Sequence, residues 1–172
     1  MKNRTFDLIV YGATSFVGQI LTRYLFEHIG VGGKVNWAIA GRSEKKLAVL
    51  KSSLGSNADS LSVIVADASD EVALTTMCQS ARVIVSTVGP YALYGEPLVK
   101  ACAENGTDYC DLCGEAYWIK AMILKYSDAA KASGARIVSC CGFDSIPSDL
   151  GVHFLQRQGK QRFGKYFDNF YF

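Results

Sequence analysis

The sequence predicts an α/β fold, a doubly wound parallel sheet of about six strands in the order 3-2-1-4-5-6. Three observations predict it. Short apolar runs alternate with longer stretches of helical periodicity, at connection lengths that parallel crossovers require. Runs such as Val83-Ile84-Val85 are apolar on successive positions, as strands covered by helices on both faces must be. Finally, Leu8-Ile9-Val10-Tyr11 stops at Gly12, passes through Ala13-Thr14-Ser15 and gives way to a helical pattern at Phe16-Val17-Gly18. That is the strand, glycine-rich turn and helix that open a dinucleotide-binding sheet.

In this first turn Gly12 lets the chain bend sharply off the strand, and Gly18 lets the new helix lie close to the strand beneath it. The free N–H groups and positive dipole end of that helix then suit a pyrophosphate. The spacing is G-x-x-S-x-x-G, so Ser15 stands where a glycine would let the backbone approach phosphates most closely. Its Cβ is expected to hold a pyrophosphate slightly farther out, and its hydroxyl to bond a phosphate oxygen. An ordinary tight turn would carry the same two glycines, so the loop alone is a weak signal.

The remaining elements follow in order. The first strand is Phe6 to Tyr11, and the helix after it carries Val17, Ile20, Leu21, Tyr24, Leu25 and His28 at the spacing of one buried stripe. Gly30-Val31-Gly32-Gly33 stops it. The second strand spans Lys34 to Ala40, and Ser43 caps a helix bearing Leu47, Leu50 and Leu54. The third runs Leu61 to Ala66, after which Ser69 or Asp70 caps a short helix ending near Gln79. The fourth, Arg82 to Thr87, is rich in β-branched residues and breaks at Gly89-Pro90. A helix from Pro97 to Glu104 ends at Asn105-Gly106. Thr107 to Cys110 makes a short fifth strand, Tyr117 to Ala132 a longer helix closed by Ser133-Gly134, and Arg136 to Cys140 a sixth strand. After Gly142, Ser145-Ile146-Pro147-Ser148 opens a last helix ending near Gln156.

The chain thus divides into a nucleotide-binding domain over residues 1–155 and an aromatic tail over 156–172. That tail holds Phe163, Tyr166, Phe167, Phe170, Tyr171 and Phe172. Such a tail fits the start of a substrate or dimerisation domain, or a surface for a partner chain; membrane contact is a weaker expectation.

Bulk properties exclude several classes. The 172 residues are 49% hydrophobic and 20% charged with a net charge of +2, ordinary for a globular domain and without a basic stripe for nucleic acid. Met1-Lys2-Asn3-Arg4-Thr5 leads directly into a strand without a signal region, and no apolar stretch reaches the ~18–20 residues that span a bilayer. The expected compartment is the cytoplasm, and the six cysteines are expected as thiols. Cys110-Asp111-Leu112-Cys113 fits C-x-x-C and Cys140-Cys141 are adjacent, but the only histidines are His28 and His153, so no metal site is expected.

Ligands of such sheets bind at the carboxyl ends of the strands. Here those ends carry small, turn-forming or polar residues: Gly12 to Gly18, Gly41 to Ser43, Asp67-Ala68, Ser86 to Tyr91, Cys110 to Glu115 and Cys140 to Pro147. NAD binders place an acidic residue at the second strand end, but this one reads Ala40-Gly41-Arg42-Ser43. Arg42 can pair with a 2′-phosphate and lie against adenine, while Ser43 adds a hydroxyl and a helix N–H, with Lys45 and Lys46 nearby. NADP(H) is therefore expected over NAD(H). Asp67 and Ala68 suit the adenine edge. Thr87, Val88, Gly89, Pro90 and Tyr91 fall where the ribose and nicotinamide pass, Gly89 permitting close approach and Pro90 stiffening the loop.

No catalytic residue stands out. No tyrosine has a lysine four positions on, and neither histidine is at a strand end. Near the nicotinamide end lie Tyr91, Tyr94, Glu96, Asp111, Cys113, Glu115 and Asp144, none marked as a general acid.

Five motifs occur in order: Gly12 to Gly18; Ala40-Gly41-Arg42-Ser43; Gly89-Pro90-Tyr91 through Gly95-Glu96; Asp108 to Glu115; and Gly142 to Gly151. Over residues 5–155 the chain resembles the N-terminal half of the saccharopine dehydrogenase-like oxidoreductases, which include trans-acting enoyl reductases. Ser15 departs from the glycine usual in that loop, and Cys113 from a more common Thr or Ser. The resemblance implies a Rossmann domain of an NAD(P)-dependent oxidoreductase, hydride transfer to or from a C=C, C=N or C=O group of a small-molecule substrate, and a following α+β domain that completes the pocket and often dimerises. Rival readings are a non-catalytic NADP(H)-sensing module and a truncated domain without activity.

Overall fold

The computed structural model describes residues 4–170, so Met1 to Asn3 and the last two rings of the tail, Tyr171 and Phe172, lie outside the described residues. Its elements are β1 (Phe6–Tyr11), α1 (Phe16–His28), β2 (Trp37–Gly41), α2 (Glu44–Ser53), β3 (Ser62–Val65), α3 (Glu71–Ser80) and β4 (Ala81–Ser86). They continue with α4 (Tyr91–Tyr94), α5 (Glu96–Asn105), β5 (Asp108–Asp111), α6 (Ala116–Ser133), β6 (Ile137–Val138) and α7 (Ile146–Phe163). A single 3-10 turn, Ser56–Ala58, precedes β3. All six strands pair parallel in the order β3-β2-β1-β4-β5-β6, the doubly wound topology expected.

Strand periodicity places two cores on the two faces of this sheet. Val10, Ile39, Leu47, Leu50 and Leu25 pack beneath α1 and α2, whereas Ile9, Tyr11, Ile84, Leu74, Leu98, Tyr109 and Met122 pack beneath α3, α5 and α6. Ile9 and Val10 are neighbours in sequence, face opposite ways and are both fully buried, as a central parallel strand requires.

Helix α1 departs from its expected stripe. Gly18, Thr22 and Leu25 face the sheet, with Leu21 and Phe26 packed beside them, while Val17, Ile20, Tyr24 and His28 are exposed. The reason is steric. A Cβ on Gly18 would stand 2.2 Å from the Gly12 carbonyl oxygen, so only a glycine fits where the helix crosses the turn. That crossing sets the rotation of the helix, and the apolar residues a turn away on the other side stay in solvent.

Smaller differences have equally local causes. Ser43 and Asp70 cap α2 and α3 as expected, Asp70 accepting from the Val72 and Ala73 N–H groups. Helix α4 stands where only a loop was expected, because its N-cap is Pro90 and no local side chain caps it. Strand β6 is an edge of two residues, and beyond it Cys140 turns to a φ of +61°. Helix α7 continues to Phe163, past the expected end near Gln156, so residues 155 and 156 lie inside one helix. The tail then folds back: the Gln156 side chain donates to the Phe167 carbonyl and accepts from the Phe167 N–H, both at 2.9 Å, and the Phe167 ring lies over Gly159. Phe163 and Tyr166 remain exposed.

Candidate functional site

The carboxyl ends of β1 to β4 open into a single groove of about 330 Å³, and it begins at the turn after β1. Gly12 has a φ of +84°, and a Cβ there would meet a Val88 methyl at 2.7 Å and the Thr87 hydroxyl at 2.8 Å, so only glycine suits both backbone and space. Ser15 caps α1, its hydroxyl accepting the Gly18 N–H at 3.0 Å. Among the described residues, the Phe16 and Val17 N–H groups have no acceptor within the protein, so the first turn of α1 keeps donors for an anion.

The turn is tied across to β4 by hydroxyls. Thr87 Oγ1 donates to the Gly12 carbonyl at 2.9 Å, so the 3.0 Å contact between Ser15 and Thr87 requires Ser15 to be the donor. The single Ser15 proton is thereby committed inside the protein. Bonding a phosphate oxygen would mean giving up the Thr87 contact, a competition invisible in the spacing alone.

At the tip of β2, Arg42, Ser43 and Lys46 line the groove; Arg42 and Lys46 are exposed, while the Ser43 hydroxyl accepts the Lys46 N–H. Facing them is Asp67, whose carboxylate takes both the N–H and the hydroxyl of Ser69. Those two bonds hold the Asp67 carboxyl below its usual range, with Arg42 adding to the effect. This end of the groove thus offers a hydrogen-bonded carboxylate opposite two exposed cations. At the other end Val88, Gly89 and Tyr94 form the wall, with a cis peptide bond between Gly89 and Pro90.

A family model described as the saccharopine dehydrogenase NADP binding domain matches residues 8–138, the span from β1 to β6 that builds this groove. The chain belongs to that family. A trans-acting enoyl reductase of Mycobacterium bovis is 46% identical over 155 residues, covering 90% of this chain and 36% of its own length. A lipid droplet localized protein of Caenorhabditis elegans is 46% identical over 156 residues, 88% of this chain and 36% of its length. The chain therefore spans little more than a third of these relatives. Among solved structures, saccharopine dehydrogenase (L-Glu forming) of Saccharomyces cerevisiae aligns with a TM-score of 0.63 at 17% identity, over 90% of this chain and 32% of that one, a likeness of fold.

Within this saccharopine dehydrogenase-type domain, the expected site residues Gly12, Thr14, Ser15, Arg42, Ser43, Asp67, Ala68, Thr87, Val88 and Gly89 are brought together on the groove surface. Ala13, Phe16, Val17, Gly18, Pro90 and Tyr91 are not part of that lining. Ala13 and Gly18 are buried beneath it, and Phe16 and Val17 point their side chains to solvent, which leaves their amides as what they can offer. Tyr91 is buried with its hydroxyl donating to the Ser86 carbonyl at 3.0 Å, and burial raises its pKa far above the ordinary value. It is a support under the groove, not an acid within it. Tyr11, Gly41, Lys46 and Tyr94 also line the groove; the basic signal of Lys46 was legible one helical turn after Arg42.

The cysteines have a structural character. All six are free thiols, and among the described residues no cluster of His, Cys, Asp and Glu could hold a metal ion. Burial, with smaller contributions from neighbouring thiols and carboxylates, pushes the Cys110 and Cys113 thiols from 9.0 up to about 11. The Cys113 sulfur accepts the Glu115 N–H at 3.3 Å.

Two expectations follow from these contacts. Ser15→Ala and Thr87→Val each lower stability by about 1 kcal/mol in urea unfolding, and the double variant loses less than the sum because both break one bond. The neutral thiols are favoured by the fold, so the stability they contribute is complete below pH 9.0 and lost as pH rises towards about 11. The urea midpoint falls over that window, less steeply in Cys113→Ala.

Proposed function

We propose that this domain binds NADP(H) in preference to NAD(H) along the groove, as the cofactor-binding part of an oxidoreductase. The observation that carries the preference is the β2 tip. No Asp or Glu stands in Ala40-Gly41-Arg42-Ser43, and Arg42, Lys46 and the Ser43 hydroxyl converge there as they would around a 2′-phosphate. The pyrophosphate is received by the free Phe16 and Val17 amides above Gly12, adenine lies beside Asp67 and Ala68, and the nicotinamide riboside runs along Thr87, Val88 and Gly89. When bound, NADP(H) supplies the hydride; the residues of this chain bind it, orient it and wall one side of it from water.

In this reading the hydride passes to or from a C=C, C=N or C=O group of a small molecule, and the name of the Mycobacterium bovis relative, a trans-acting enoyl reductase, favours the first of these. Residues 1–155 serve as the binding domain, and the segment from 156 onward leads into a part that completes the substrate pocket and supports a homodimer. A cytoplasmic setting suits the six free thiols.

A second reading, a sensing module without turnover, is favoured by one specific observation. Three polar groups beside the nicotinamide end are engaged inward: Tyr91 by Ser86, Asp111 by Tyr109, Cys113 and Cys140, and Glu115 by Tyr91 and Ala92. Incubation of NADPH deuterated at its transferable position with enoyl, imine and keto substrates separates the two, since only an enzyme moves the label into product.

Fluorescence titration tests the cofactor assignment. NADPH is expected to bind roughly tenfold or more tightly than NADH, and Arg42→Ala to erase most of that difference. Equal binding of the two, unaltered by Arg42→Ala, contradicts the preference; binding of neither below the millimolar range contradicts the groove as a cofactor site.

A further inference from the structure

We infer that Glu115 is a positioning residue that sets the nicotinamide end of the groove by clamping the Gly89-Pro90-Tyr91 turn from beneath, an inference that rests on the NADP(H) reading above. Helix α4 starts without a cap of its own. Its N-cap is Pro90, which has no side-chain acceptor, and the first two helical N–H groups, those of Tyr91 and Ala92, have no backbone partner. Glu115, from the turn between β5 and α6, supplies both acceptors: Oε1 takes the Tyr91 N–H at 2.7 Å and Oε2 the Ala92 N–H at 2.9 Å. Each carboxylate oxygen thus has one backbone donor, a paired charge-assisted contact across 23 and 24 residues of sequence.

The clamp is itself held in place. Asp111, buried at the end of β5, accepts the Cys113 N–H at 3.0 Å, and the Cys113 sulfur accepts the Glu115 N–H at 3.3 Å. On the α4 side the Tyr91 hydroxyl donates to Ser86 at the end of β4, and its ring lies 5.6 Å from that of Trp118 on α6. Gly95 completes the fit, for a Cβ there would stand 2.6 Å from the Trp118 ring. The groove wall of Gly89 and Tyr94 is therefore carried on a turn anchored to β4, β5 and α6 together, with Glu115 supplying the carboxylate that bonds it directly.

With both oxygens accepting backbone donors, Glu115 is placed to orient the turn. The hydrogen bonds of Glu115 go to Tyr91, Ala92 and Cys113, whereas the turn after β1 is held by the Ser15 cap and the Thr87 hydroxyl. Removing Glu115 should therefore act on one half of the cofactor only, which a general loss of folding would not do.

The test compares two probes. NADPH reaches the whole groove, whereas 2′,5′-ADP carries the adenosine and 2′-phosphate without the nicotinamide. Glu115→Ala is expected to weaken NADPH binding by roughly tenfold and to leave 2′,5′-ADP binding within about twofold of the parent chain. Glu115→Gln, which keeps the shape and one carbonyl acceptor, gives an intermediate loss. In both variants, hydrogen exchange followed by NMR without ligand quickens at the Tyr91 and Ala92 amides. Equal losses for the two probes, or an unaltered NADPH affinity, overturn the inference. If the parent chain binds neither probe, the NADP(H) reading fails, and the exchange rates alone decide whether Glu115 clamps the turn.

Discussion

Gly18 stands so close to the Gly12 carbonyl that a methyl group between them would lie 2.2 Å from the oxygen. Much of the site depends on this contact. It brings α1 down onto the end of β1, fixes which face of the helix meets the sheet, and turns the first N–H groups outward above the strand end. Ser15 can then cap the helix and reach Thr87, so the loop after β1 and the end of β4 form one continuous edge. The price of the arrangement is an exposed apolar strip at Phe16, Ile20 and Tyr24, which a helix rotated to bury them could not avoid without losing the glycine contact.

The two halves of the groove are supported differently. The half beside β1 and β2 rests on backbone geometry and hydroxyls after β1, with exposed cations at the β2 tip. The opposite half rests on a short helix that begins at a proline, too short and too poorly capped to stand alone, and held by a carboxylate from a distant turn. Polar residues that resemble catalytic candidates in the sequence, Tyr91, Asp111 and Glu115, are the struts of that second half.

What was legible in the sequence follows from where the determinants lie. The strands and their order could be read because apolar runs and glycine breaks are local, and a parallel sheet leaves few ways to arrange them. Most groove residues could be read for the same reason, since they sit at predictable strand ends. The rotation of α1 could not, because it is set by a contact between Gly18 and Gly12 and not by the distribution of apolar residues on the helix. Nor could α4, whose cap comes from Glu115, or the reach of α7 to Phe163, where Gln156 turns the tail back onto the helix. A glycine-rich turn announces where an anion can sit; the side chains that brace the far wall announce nothing until they meet in space.

The most direct measurement is the amide NMR spectrum of the chain as NADPH is added. Shifts are expected to concentrate at residues 12–18, 42–43, 67–68 and 87–89, along the single edge that these turns share. Shifts confined to other surfaces, such as the outer faces of α5 and α6, or no shifts at all, would contradict the cofactor assignment.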